Sequence, residues 1–192
     1  MKALPFLALC LFLATGQIIR ADAIEIPSRG SFAVGQTDPN WGWAACNQML
    51  LNSIGVPDTQ EDQVEKLFGD KVSKDCGPGF DAEAKTLQGQ YTNTSGESDV
   101  TPIVLDAAKG PVDASVLIDA LKAGRPFVVA TKDHRWVCYG ASYTGTGSAT
   151  KITTLKLIDP QNGTDAKTPL YLEKNLDDLT KAGLIGFLAF KI

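Results

Sequence analysis

The chain has 192 residues, with 22 acidic and 18 basic side chains, a formal net charge of −4 and a single histidine. Mild acidity without a basic run or interleaved aromatics argues against nucleic acid or an anionic membrane surface as a partner. One histidine and no Cys-x-x-Cys pattern argue against a zinc site of ordinary ligand type, and neither a metal nor a cofactor is expected.

At the N-terminus, Lys2 precedes the apolar run "ALPFLALCLFLATG" (residues 3–16). That run is too short to span a bilayer comfortably, and Arg20 closes it. With the small-x-small site Ala21-Asp22-Ala23 behind it, the stretch reads as a signal peptide over residues 1–23. A secreted or periplasmic protein with no stable membrane anchor after removal is expected. Residues 24–192 then form a single domain of a length able to bury a real core. Without Lys2, Arg20 and Asp22 it carries 16 basic and 21 acidic residues, net −5. It keeps Cys46, Cys76 and Cys138, an odd number that allows at most one intrachain bridge.

Helix signals concentrate in residues 24–124. Residues 43–54 predict a mostly apolar helix stopped by Gly55, with Pro57 beyond. Thr59 caps a second, amphipathic helix carrying Val64, Leu67 and Phe68 and ending at Gly69. Residues 70–80 read as a loop, "DAEAKTLQGQ" as a weak helix at best, and the polar "YTNTSGESD" (91–99) as an exposed loop. A third good helix is "DASVLIDALKAG", capped by Asp113, with Leu117, Ile118 and Leu121 as its stripe and Gly124 as its close.

From residue 125 the texture changes. "PFVVATK" (126–132), "RWVCYGASY" (135–143), "TKITTLKLI" (150–158) and "LIGFLAFK" (184–191) are rich in β-branched and aromatic residues and predict strands. Helices followed by an antiparallel β part make an α+β plan, with a site expected at the junction.

Three patches at that junction carry chemistry: Gln36 with "NWGWAAC" (40–46), "DHRWVCYGASY" with His134, and "LIDPQNG" with Asp159. Together they make residues 36–191 resemble the papain-like cysteine peptidase superfamily. The nearest pattern is that of secreted bacterial papain-like proteases related to bacteriocin-processing peptidases, whose motif is Trp-Cys-Trp-Ala-Ala-Cys. The resemblance implies a papain-like fold: a helical N-terminal part with a buried central helix, packed on an antiparallel β part. It also implies a nucleophile six residues after Gln36, where Gly42 stands. A helix N-terminus lowers a thiol's pKa there. His134 takes the role of general base and acid, and Asp159 holds its imidazole. Gln36 would donate to the oxyanion, and Trp41 and Trp43 would wall the cleft.

Glycine offers no nucleophile, and neither His134 nor Asp159 replaces the covalent attack. Cys46 lies four residues on, about 6 Å along the helix axis and about 40° round it, which carries its sulfur toward the packed interior. Related family sequences also carry a Cys there, so a structural role is implied. Pairing with Cys76, closing about thirty residues, would stabilise the fold by about 3–4 kcal/mol. Cys138 would then remain a buried strand thiol, although the sequence alone leaves the pairing open. The expectation is a catalytically dead scaffold with a cleft for a peptide or protein ligand. Its alternatives are a nucleophile-knockout copy of a working peptidase, and a structural or inhibitory domain that binds a protease or toxin through its outer surface.

Overall fold

The computed structural model describes residues 21–69, 79–93, 96–161 and 168–191, and they form an α+β fold. The longest helix, α1 (Gly42–Ser53), buries Ala44, Ala45, Cys46, Asn47, Met49, Leu50 and Leu51. A helix so apolar around most of its circumference belongs inside a domain. Gly55, at φ 76°, turns the chain out of it, as only glycine does cheaply. Next comes α2 (Gln60–Phe68), which begins in a full capping box: Thr59 Oγ1 accepts from the Asp62 N–H, and Asp62 accepts from the Thr59 N–H. Trp41, Trp43 and Ala44 pack with Val64, Leu67 and Phe68 and bind α1 to α2.

Residues 80–87 form a definite helix, α3 (Phe80–Leu87), where a weak one at best was expected. Phe80, Ala84 and Leu87 bury one face, so tertiary packing overrides weak propensity. The polar stretch read as a loop is instead a hairpin of β2 (Gly89–Asn93) and β3 (Gly96–Val100). Cross-strand pairing and Val100, 5% exposed, hold it despite its composition. The helix expected after Asp113 is α4 (Ala114–Lys122), whose capping Asp113 accepts from the Ser115 N–H.

The main sheet is antiparallel throughout. Its order is β4 (Pro102–Asp106), β9 (Leu184–Phe190), β5 (Phe127–Thr131), β6 (Arg135–Thr144), β7 (Lys151–Asp159) and β8 (Leu170–Asn175). The strand β1 (Asp22–Glu25) pairs with β6, and a short helix, α5 (Leu176–Lys181), precedes β9. Every residue of β5 is buried, so both faces of the sheet are covered there, which accounts for the continuous apolar run "FVVA". Helices α1, α3 and α4 share one core with the sheet. Two strands from the helix-rich part, β1 and β4, belong to that sheet, so the division near residue 124 is one of emphasis only. Among the described residues, no helix is long and apolar enough to cross a membrane.

Candidate active site

A cleft of about 450 Å³ opens between the start of α1 and the β5–β6 turn. Gln36, Gly42 and Trp43 line it from the helical side, His134 and Arg135 from the sheet side, and Glu83 of α3 lies between them. The two sides are tied together by the main chain, since the Gln36 N–H donates to the Pro160 carbonyl at 2.9 Å.

On the sheet side the geometry is tightly specified. The β5–β6 turn closes with the Thr131 N–H donating to the His134 carbonyl at 3.0 Å, which fixes the histidine at the head of β6. His134 Nε2 lies 2.8 Å from Asp159 Oδ1, at the end of the neighbouring β7. An ionised carboxylate only accepts, so Nε2 carries the proton and the Nδ1 lone pair is left as the basic site. Among the described residues, Nδ1 has no hydrogen-bond partner.

Asp159 is itself held by two further donors, the Gln161 N–H at 2.9 Å on Oδ1 and Trp136 Nε1 at 3.0 Å on Oδ2. The Trp136 ring meets the imidazole edge-on, centroids 4.5 Å apart, and shields the His134–Asp159 bond. Trp136 was not singled out from the sequence; its place two residues after His134, on the same face of an extended segment, is the signal that could have found it.

On the helical side, the cleft meets the first turn of α1 at a residue without a side chain. Gly42 is the first residue of α1, Trp41 supplies no side-chain cap, and the first turn holds no acidic residue. Donors at such an uncapped end, together with the helix dipole, favour an anion. A Cβ at position 42 would lie 3.0 Å from Gln36 Oε1 and 4.0 Å from Pro160 Cγ, pointing between Gln36 and the Asp159 segment. Gln36, only 2% exposed, spends an amide N–H on the Pro39 carbonyl at 3.1 Å and turns its oxygen toward position 42. The group nearest the vacant position is therefore an acceptor, where the resemblance calls for a donor.

The structure thus brings Gln36, Gly42, Trp43 and His134 to one cleft and bonds Asp159 to His134. Trp41 is packed into the α1–α2 cluster instead. Cys46 is fully buried, and desolvation pushes its thiol well above the ordinary range, so it is no substitute nucleophile. Cys138 is also fully buried, donates to the Gly140 carbonyl at 3.1 Å, and its thiol is likewise raised by burial. Cys76 lies outside the described residues, and with it the expected Cys46–Cys76 bridge; within the described residues, Cys46 and Cys138 are free thiols. Among the described residues, no group of three or more His, Cys, Asp or Glu side chains is gathered to hold a metal.

Glu83 and Arg135 were not legible as site residues. Glu83 is 1% exposed, and Arg135 Nε donates to its Oε1 at 2.9 Å. Burial pushes the Glu83 carboxyl up to about 6, against the pull of the guanidinium. The only sequence signal was an acidic residue on the face shared by Phe80 and Leu87. A scan against protein-family models found no match for this chain, and a search of curated proteins found none either.

Proposed function

We propose that this chain is a secreted papain-like cysteine peptidase scaffold whose nucleophile position holds glycine. It is catalytically silent as written and retains a cleft for an extended peptide. The observation that carries the reading is the shared cleft. An imidazole that donates its Nε2–H to Asp159, and whose Nδ1 has no partner among the described residues, lines the same cleft as the uncapped head of α1. The order Gln36, position 42, His134, Asp159, with a tryptophan over the last pair, suits acyl transfer by a thiol. In that chemistry the thiol proton passes to Nδ1, sulfur attacks the carbonyl, and the imidazolium returns the proton to the leaving amine. Without sulfur at position 42 the first step has no electron pair, and binding is what remains. A peptide carboxylate suits the uncapped helix end.

The space at Gly42 favours a related reading, a working peptidase with its nucleophile removed. Among the described residues, the nearest atom to a Cβ there is Gln36 Oε1 at 3.0 Å, the end of a side chain, so a side chain fits once that oxygen shifts by a few tenths of an ångström. Both readings predict the same gain. Gly42→Cys creates a thiol that iodoacetamide alkylates near pH 6 on the order of a hundred-fold faster than any thiol of the unaltered chain. Its rate stays nearly level from pH 6 to 8, and His134→Ala in that background restores the steep rise of an ordinary thiol. A Gly42→Cys thiol that labels no faster than the unaltered chain, or climbs about ten-fold per pH step regardless of His134, sinks the reading. A domain that binds through its outer surface would instead keep its partner after His134→Ala.

A further inference from the structure

Arg135 is the first residue of β6, next to His134, and its side chain leaves the sheet to meet α3. Nε donates to Glu83, while Nη1 donates to the carbonyls of Thr131, at 2.7 Å, and of His134, at 3.3 Å. The guanidinium also lies over the Phe80 ring, 5.3 Å from its centroid. One side chain therefore grips both ends of the turn that presents the imidazole and fastens that turn to a buried carboxylate on a different element. The arginine side chain is 10% exposed and the glutamate 1%, so solvent screens this pair little.

We infer that Glu83 is a positioning residue for His134: its ionised carboxylate holds Arg135 against the β5–β6 turn and so fixes where the imidazole points in the cleft. The chain of contacts is covalent or hydrogen-bonded at each step, from carboxylate to guanidinium to the His134 carbonyl. When Glu83 takes up a proton, Arg135 loses its charged partner and the turn loses its anchor on α3. Other groups surround the carboxylate. From β6 it faces Arg135, the source of its ion pair. From α1 come Cys46, whose thiol feels its charge, and Asn47, whose amide reaches the Glu83 carbonyl. Behind Asn47, on and before α2, lie Gln63, Asp58 and Lys66. Lys132, Asp133 and His134 line the same cleft. Of these, Arg135 alone forms an ion pair with Glu83 among the described residues.

The inference takes from the proposed function only the interest in where His134 points, and the coupling can be read without any catalysis. The chain has one histidine, so its imidazole gives a single set of ring resonances in proton and nitrogen NMR. In the full chain, titration from pH 4.5 to 8 is expected to move those resonances at about pH 6 with Glu83, in addition to the imidazole's own step. Glu83→Gln, which keeps shape but not charge, removes the added step and lowers the share of the Nε2–H tautomer. Coincident curves for the unaltered and Glu83→Gln chains overturn the inference. If Glu83→Gln fails to fold, Arg135→Lys tests the same link, since an ammonium lacks the fork that bridges both carbonyls. Unchanged His134 resonances in that variant overturn it equally. In the Gly42→Cys background, Glu83→Gln is expected to lower kcat on the order of ten-fold with KM unchanged. An inactive Gly42→Cys protein with intact NMR coupling would refute the peptidase reading and leave the positioning role standing. An active one without coupling would do the reverse.

Discussion

The two sides of the cleft are built to different standards. On the sheet side, Asp159 accepts from three donors, His134 Nε2, Trp136 Nε1 and the Gln161 N–H, and Arg135 clamps the turn that carries the histidine. On the helical side, the decisive position has no side chain, the helix has no cap, and Gln36 presents an oxygen. The imidazole and its carboxylate are held by strand pairing and part-buried hydrogen bonds, with Glu83 of α3 securing the turn through Arg135. Position 42 carries no side chain, so it adds no side-chain contact to the packing around it.

If that contrast is right, substitutions on the sheet side are costly and those at position 42 are nearly free. The largest effect is expected from Arg135→Met, which strands the buried Glu83 carboxylate. It should lower the unfolding free energy by about 3–5 kcal/mol in urea titrations at pH 7.5. The loss should shrink below pH 6 as Glu83 takes up a proton. Asp159→Ala leaves His134 Nε2 and Trp136 Nε1 without their acceptor and should cost about 2–3 kcal/mol by the same measurement.

The Glu83 carboxyl supplies the next effect. Its native value of about 6 exceeds the ordinary 4.5, so the folded state binds this proton more tightly than the unfolded chain. Its contribution to stability is therefore fully gained below pH 4.5 and lost as the pH rises through 6. The difference corresponds to about 2 kcal/mol. Measured against Glu83→Gln, the unaltered chain should gain that amount between pH 7.5 and 4.5. The smallest effect belongs to Gly42→Ala. At the first position of α1 its helix-propensity gain is below the interior value of about 1 kcal/mol, and crowding against Gln36 Oε1 opposes it, for a net change within about 0.5 kcal/mol. A loss above about 2 kcal/mol there would erase the contrast between the two sides.

Sequence pattern sufficed wherever a local signal agreed with the tertiary environment. Thr59 and Asp113 marked helix starts, Gly55, Gly69 and Gly124 marked ends, and the β-branched runs became β5, β6, β7 and β9. It failed where pairing or packing outweighed composition. "GESD" is poor in strand formers yet lies in β3, and β1 and β4 find their order only through partners distant in the chain. Gln36, Gly42, His134 and Asp159 were grouped from the sequence by a resemblance, and the structure puts the first three at one cleft with Asp159 bonded to His134. Glu83 and Arg135 were not so grouped, because their meaning lies in an ion pair 52 residues apart in the chain.

Strand β6 is flanked by β7 on one edge and by β5 and then β1 on the other, although Asp22 and Ala23 of β1, paired with Tyr143 and Ser142, fall in the stretch read as a signal peptide. Its backbone N–H groups have no route to solvent short of separating the sheet itself. Local fluctuations that fray helix ends and hairpins should stop short of it, and amide exchange there should track global unfolding. Trp136 lies within that strand and should share its protection, whereas His134, in the turn just before it, depends besides on the Arg135–Glu83 anchor.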